Sequence, residues 1–331
     1  MSSPDLGLPA DIEALANARF EELHAKGRIL YEPTVPEYLK HEGFHFEFRI
    51  CPFIKSKPIQ GPDDDARDKA KGPFVNPKSD EVLCILHNST GWTHRVMLNK
   101  FCMFKPMLLI TTYDFELQSD PLNKSDVVAL FTTMNSMKTP QLAFYNCGAH
   151  SGSSQGHKHM QLFPKPDETK FPLFPSRAHP GHSPHTHYIQ TDIEHVPFMH
   201  FVKRFPKDAD INDVYAAYKH CLDQCLEALI EAGQGTDHNV IMTTEWVALI
   251  PRAVQKNDGP WGANAMGMIG MIAVRDASER EQWAKLGYSD YLRQLGLPLK
   301  MFPTAEQRWR WHNAVRQEGQ KWTYAGVRSE K

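Results

Sequence analysis

Between Asp11 and Lys26 the apolar residues Ile12, Ala16, Phe20 and Leu23 fall at intervals of three and four. That period predicts an amphipathic helix over 11–26, with Asp11 as its N-cap and Gly27 as its stop. Farther along the period shortens to two. The alternation His45-Phe-Glu-Phe-Arg-Ile50 predicts a strand, and others are predicted at Val82–Asn88, Arg95–Asn99, Met107–Thr112, Leu142–Asn146 and His157–Phe163. A helix over Ser125–Met137 interrupts the series. In the second half, Val214, Tyr218, Cys221, Leu222, Cys225 and Leu229 form the stripe of a helix over 211–232. Strands at Val240–Met242, Trp246–Ile250 and the glycine-bearing Met266–Val274 follow, then a helical stretch over Thr304–Lys321 anchored by Trp309, Trp311 and Trp322. Many short strands with few helices predict an α+β fold: a mostly antiparallel sheet with helices packed around it.

Two stretches carry no period. Residues 60–73, Gln-Gly-Pro-Asp-Asp-Asp-Ala-Arg-Asp-Lys-Ala-Lys-Gly-Pro, are charged and bracketed by Gly-Pro pairs, which predicts a solvated, mobile loop. Its aspartates have no fixed scaffold, so a charge run is the better reading than a magnesium site. A proline-rich stretch from Phe163 to Pro184 runs into the cluster His179-Pro-Gly-His-Ser-Pro-His-Thr-His187. Those histidines are the chief rival metal site, although such loops are more often surface than ligand cage.

Composition narrows the partners. The chain has 331 residues, 41% of them hydrophobic, enough for one large core or two modest ones. With 37 basic and 39 acidic residues the formal charge is −2, so no global field draws in nucleic acid or an anionic membrane. The amino terminus lacks a basic region followed by an apolar core, and no apolar run reaches the ~18 residues that span a bilayer. Six cysteines without framework spacing predict reduced thiols in the cytoplasm, with the nucleus also open. Cys221 and Cys225, on the helical stripe, read as small hydrophobes.

The chemistry gathers at Ser151-Gly-Ser-Ser-Gln-Gly-His-Lys-His-Met-Gln-Leu-Phe163. In an extended segment His157, His159 and Gln161 share one face, and Lys158, Met160 and Leu162 share the other. Gly152 and Gly156 allow close approach of backbone N–H groups to an anion, and Ser153 and Ser154 add hydroxyl donors. Three uses remain open on spacing alone. Two imidazoles can begin a zinc site, but a third ligand is missing; one neutral imidazole can attack phosphorus; or both can be structural.

A longer block, Phe144-Tyr-Asn-Cys-Gly-Ala-His-Ser-Gly-Ser-Ser-Gln-Gly-His-Lys-His-Met-Gln161, resembles the active-site block of the fungal-type diadenosine tetraphosphate phosphorylases, or ATP adenylyltransferases, of the histidine-triad superfamily. His238–Arg252 followed by Asn264–Arg275 resembles the family's carboxy-terminal half, and His94–Phe101 its nucleotide-contacting strand. The resemblance implies a histidine-triad-like fold and two cooperating parts in one unit: 1–195 with the motif, and 196–331 completing the nucleotide site.

It further implies that His159 is the nucleophile that becomes adenylylated, with His157 in support. Gln161 stands where the hydrolytic branch has a third histidine. Its amide can donate to a phosphate oxygen without supplying a mobile proton. Substrate contacts are implied at Asn99, Lys100, Asn146, Gly152, Ser153, Ser154, Gln155, Asn264, Ala265, Met266 and Met271. A lysine of Ile54–Pro58 is implied as well, Lys55 favoured over Lys57. Arg275 occupies a position where the family often has lysine, and His150 one where an apolar residue is usual. The implied reaction is reversible phosphorolysis of diadenosine tetraphosphate to ATP and ADP by a monomer, with no tightly bound cofactor and magnesium arriving on the polyphosphate. The alternatives are a hydrolase and a non-catalytic nucleotide- or metal-binding protein.

Overall fold

The computed structural model describes residues 6–89, 91–179, 189–254 and 263–299. Eleven strands among them are β1 (Glu37–His41), β2 (Phe44–Ile50), β3 (Val82–Asn88), β4 (Gly91–Leu98), β5 (Leu108–Thr112), β6 (Gln141–Cys147), β7 (His159–Pro164), β8 (Phe201–Arg204), β9 (His238–Met242), β10 (Trp246–Pro251) and β11 (Met271–Val274). Eight of them form one sheet in the order β3-β4-β5-β7-β6-β9-β10-β8. Every pairing in it is antiparallel. Its seam lies where β6 pairs with β9, so the two halves of the chain share one hydrogen-bonded layer. A smaller sheet, β1-β2-β11, joins β11 parallel to β2.

Helices cover the large sheet. α1 (Ile12–Ala25) buries the four apolar residues of its stripe, and the Asp11 side chain accepts from Ala14 N at 3.0 Å. α2 (Lys124–Asn135) lies against β4, β5 and β6, and α3 (Ile211–Glu231) against β8 and β10. The α3 stripe is buried, Cys221 and Cys225 included. All six cysteines are free thiols. Among the described residues, no helix is long and apolar enough to cross a membrane.

Three local predictions change. Met266–Val274 is not one strand: a short helix, α4 (Ala265–Met268), precedes β11, because Asn264 caps it by accepting from Gly267 N at 3.2 Å. That side-chain bond diverts the backbone into a turn before the strand begins. Strands β1 and β8 and helices α5 (Ala277–Leu286) and α6 (Tyr288–Leu295) were not anticipated; β1 is an edge strand with little burial and α5 is charged, so neither carries a strong apolar period. The charged segment 60–73 is not simply solvated, for reasons given below. The helix expected over Thr304–Lys321 and residues 180–188 of the histidine cluster lie outside the described residues.

Candidate active site

The register of β6 against β7 ends at Phe144↔Gln161. Beyond it the strands separate, and the side-chain amide of Gln118 fills the gap as a peptide group would. Its Oε1 accepts from His159 N at 2.7 Å and its Nε2 donates to Asn146 O at 2.8 Å. The Gln118 backbone grips both ends of the intervening loop: its N–H donates to Gly156 O at 2.8 Å and its carbonyl accepts from Gly148 N at 3.0 Å. One residue thus fixes the catalytic strand and the glycine-serine loop together.

Within that loop Gly152 has φ +88°, and a Cβ there would lie 2.7 Å from Asn264 Cα. Only glycine permits this approach, which brings the second half of the chain onto the loop. The serine hydroxyls are turned inward. Ser151 Oγ and Ser153 Oγ donate to Gly148 O at 2.7 and 2.8 Å, so the expectation that Ser153 offers its hydroxyl hydrogen to an anion is corrected. Ser154 contributes its carbonyl, which accepts from Gln60 N, and Gln155 donates to Pro58 O at 3.1 Å.

His157, His159 and Gln161 are buried on one face, as the alternation predicts. His159 donates from Nδ1 to His157 O at 2.9 Å, which fixes the tautomer with Nε2 unprotonated. No described group bonds Nε2. Burial drives this imidazole's pKa down to about 3, with the charges of Lys57 and Arg67 adding to the effect. Phe74 supplies part of that desolvation, its ring 4.9 Å from the His159 ring. His157 is also held neutral by burial; its Nε2 donates to Thr112 O at 3.1 Å, while its buried Nδ1 has no partner.

Gln161 has a defined orientation. Phe101 N donates to Asn99 Oδ1 at 3.0 Å, so the Asn99 amide nitrogen must be the group facing Gln161, whose Oε1 accepts at 3.3 Å. The Gln161 NH2 is thereby left for a ligand. Asn99 orients Gln161 through this bond, and the neighbouring Lys100 is exposed, its ammonium 5.7 Å from the Phe101 ring.

The two candidate lysines sit in different surroundings. Lys55 Nζ pairs with Asp276 at 2.9 Å on the surface, whereas Lys57 is half-buried beside His159, its pKa lowered by desolvation. Among the described residues, no carboxylate lies within ion-pair distance of the Lys57 ammonium. Arg275 is paired with Glu279 at 2.8 Å, and it and Lys55 both lie near Asp276.

On the carboxy-terminal side, Asn146 Oδ1 accepts from Asn239 Nδ2 and from Ala265 N, both at 2.9 Å. Arg252 is buried and donates to Asn239 Oδ1 (2.7 Å), Ala263 O (2.6 Å) and Ser151 O (3.2 Å). Met266 and Met271 are buried nearby in the chain, on α4 and β11. His150 contributes its backbone: its N–H donates to Asp237 at 2.6 Å, and burial raises the Asp237 pKa.

Sequence reasoning missed Gln118, Arg67, Phe74, Asp237 and Arg252. Of these only Arg252 carried a signal, a cation closing an otherwise apolar strand. Among the described residues, no group of three or more His, Cys, Asp or Glu side chains could hold a metal ion.

Fold and site together define a class: an α+β protein with a buried, uncharged histidine at a glycine-serine loop, flanked by cations that have no carboxylate partner among the described residues. Comparison with known families gives the particular one. The Ap4A phosphorylase N-terminal domain matches residues 9–178 and the ATP adenylyltransferase C-terminal domain matches 194–298. The chain belongs to the Ap4A phosphorylase family, within the histidine-triad-like superfamily. It is 28% identical over 302 residues to diadenosine 5',5'''-P1,P4-tetraphosphate phosphorylase 2 of Saccharomyces cerevisiae, covering 82% of this chain and 86% of that protein. It is also similar to yeast Ap4A phosphorylase Apa2 in its crystal structure with AMP, at a TM-score of 0.72 and 25% identity, covering 88% of this chain and 98% of that one. The Apa2 structure with Ap4A superposes with a TM-score of 0.71 at 24% identity, over 88% of this chain and 99% of that one.

Proposed function

We infer that this protein cleaves diadenosine tetraphosphate with orthophosphate to give ATP and ADP, reversibly, with AMP held in transit on His159. The observation that carries this reading is the fixed tautomer of His159: Nδ1–H is spent on the His157 carbonyl, and the unpartnered Nε2 keeps its lone pair at neutral pH. Family membership and the activity named for the yeast relative support the same reaction.

In the first displacement Nε2 bonds to an α-phosphorus, the bond from that phosphorus to the bridging oxygen breaks, and ATP leaves as an anion. Orthophosphate then attacks the same phosphorus, the P–N bond breaks, and ADP departs with the ring neutral again. ATP needs little protonation to leave, because its terminal phosphate has its last ionisation at about pH 6. A glutamine at 161 suits such a leaving group, since its NH2 can follow charge on phosphate oxygens without moving a proton. Lys57 and the loop N–H groups neutralise the charge that spreads in the transition state. Magnesium enters bound to the polyphosphate, as part of the substrate. Free thiols with nucleotide substrates support a cytoplasmic or nuclear setting.

The test is product analysis with labelled acceptors. Diadenosine tetraphosphate and 18O-phosphate should give ATP and ADP in equal amounts, with label in the ADP, and with configuration at phosphorus retained after the two displacements. Label arriving from water in AMP would instead indicate hydrolysis.

A further inference from the structure

The segment predicted to be a solvated charge run is folded back onto the glycine-serine loop. Gln60 bonds that loop twice, from its N–H to Ser154 O at 3.0 Å and through Oε1 from Gly156 N at 2.7 Å. Contact is so close that a Cβ on Gly156 would lie 2.1 Å from Arg67 O. Arg67 itself is buried, an uncommon place for a guanidinium from an acidic run.

What Arg67 bonds to is the informative point. Nη1 donates to Gln60 O at 2.7 Å and Ser153 O at 3.3 Å, and Nη2 donates to Ser153 Oγ. Every one of these acceptors is neutral, and among the described residues no carboxylate lies within ion-pair distance. A guanidinium has five N–H donors. Three are used, so two remain on a buried cation that is braced by the phosphate loop and lies close enough to His159 to influence its ring.

We propose that Arg67 contacts the acceptor: its two unspent N–H groups hold the polyphosphate that leaves in the first displacement and the orthophosphate that enters in the second. This rests on the phosphorolytic reading given above. Both displacements occur at one phosphorus, in line with the bond to His159. The leaving oxygen of the first step and the entering oxygen of the second therefore occupy the same position. A cation placed for one is placed for the other, and its fork matches a phosphate's oxygens in a way that it cannot match water. Arg67 thereby favours orthophosphate over water as acceptor.

The full-length protein with Arg67→Gln or Arg67→Lys tests this, at saturating diadenosine tetraphosphate with orthophosphate varied. Arg67→Gln should raise the KM for orthophosphate by about 10-fold or more and raise the ratio of AMP to ADP formed, as water competes for the adenylyl-enzyme. Arg67→Lys keeps the charge but loses the fork, so it should recover part of the KM and part of the ratio. A kcat loss with wild-type KM for orthophosphate and wild-type AMP to ADP ratio would overturn the proposal and leave Arg67 as a brace for the loop. Should Arg67→Gln fail to fold, Arg67→Lys decides alone: an unchanged KM and ratio there overturn the assignment. Wild-type protein that yields AMP carrying water oxygen and no ADP would remove the phosphorolytic reading itself, and this proposal with it.

Discussion

The two faces of the segment from His157 to Leu162 treat buried charge in opposite ways. On the rear face Lys158 is enclosed with its neutralising partners: Glu116 at 2.7 Å and Asp126 at 3.3 Å, with His94 bonded to Asp126 at 2.9 Å. Burial alone would lower the lysine's pKa and raise the aspartate's, but their mutual attraction outweighs it and both stay ionised. On the front face Lys57 and Arg67 stand beside a neutral imidazole, and among the described residues no carboxylate lies in ion-pair range of either. That contrast supports the proposal that these two cations meet an anion that is not part of the chain, a charge kept for substrate rather than for the fold.

The largest effect should come from the front face. His159→Asn removes the attacking nitrogen while retaining much of the ring's polarity and volume. Turnover of diadenosine tetraphosphate should fall by about 10⁴-fold or more, with nucleotide affinity by calorimetry within about threefold of wild type. The acid-labile adenylyl-protein, trapped by omitting orthophosphate, should vanish. Persistence of that adduct would move the nucleophile elsewhere and dissolve the front-rear distinction.

Paired lysine substitutions test the distinction itself. Lys57→Met should reduce kcat/KM by about 10²–10³-fold, the scale for a lost transition-state donor, with no fall in thermal midpoint, since among the described residues no carboxylate pairs with the ammonium. Lys158→Met should do the reverse. It strands the Asp126 carboxylate in the interior and should destabilise the fold by about 3–5 kcal/mol in a denaturant titration, with activity falling only as folded protein is lost. If both variants lose stability alike, the front cations are structural too.

How much of this was legible in the chain depends on whether a residue's role follows from local period. The alternation His157, His159, Gln161 placed three polar groups on one face, and the structure has them there. The stripe of α3 likewise placed Cys221 and Cys225 in the core. Gln118 was illegible because its job exists only where β6 and β7 separate, a gap set by pairing between distant segments. Arg67 was misread for a related reason. Charge runs are usually solvated, and nothing local says that one member is pulled inward by carbonyls of Gln60 and Ser153. Asn99 was expected to touch substrate; its bonds to Phe101 N and Gln161 orient Gln161, and the second of them joins distant segments and had no local signal.

Acid should weaken the fold through the buried rings. Burial depresses His159 to about 3 and His200 and His238 to about 4, while an unfolded chain protonates histidine near pH 6.5. Above that pH both states leave the rings neutral, so these groups contribute no pH dependence. As pH falls from about 6.5 toward 4, the unfolded state binds protons that the native state does not, and stability declines. At pH 5 the loss should be about 2 kcal/mol per ring. Urea midpoints at pH 7 and pH 5 measure it, and His159→Asn should shrink the difference by one ring's share. A wild-type curve flat across this interval would mean that the native rings take up protons as readily as the unfolded ones, so that burial does not keep them neutral below pH 6.5.

The smallest effect bears on the choice between neighbouring lysines. Lys55 is more than half exposed and its partner Asp276 nearly half exposed, so the pair is screened by water and worth little to stability. Lys55→Ala should leave the denaturation midpoint unchanged within about 0.5 kcal/mol and kcat/KM within about twofold. Set against Lys57→Met, this isolates what matters about a cation near the site: the same residue type, two positions apart, carries a large catalytic effect only where it is desolvated and without a carboxylate. A Lys55→Ala variant as impaired as Lys57→Met would show that the Asp276 pair opens when substrate binds. The surface of Lys55 and Arg275 would then belong to the polyphosphate path as well.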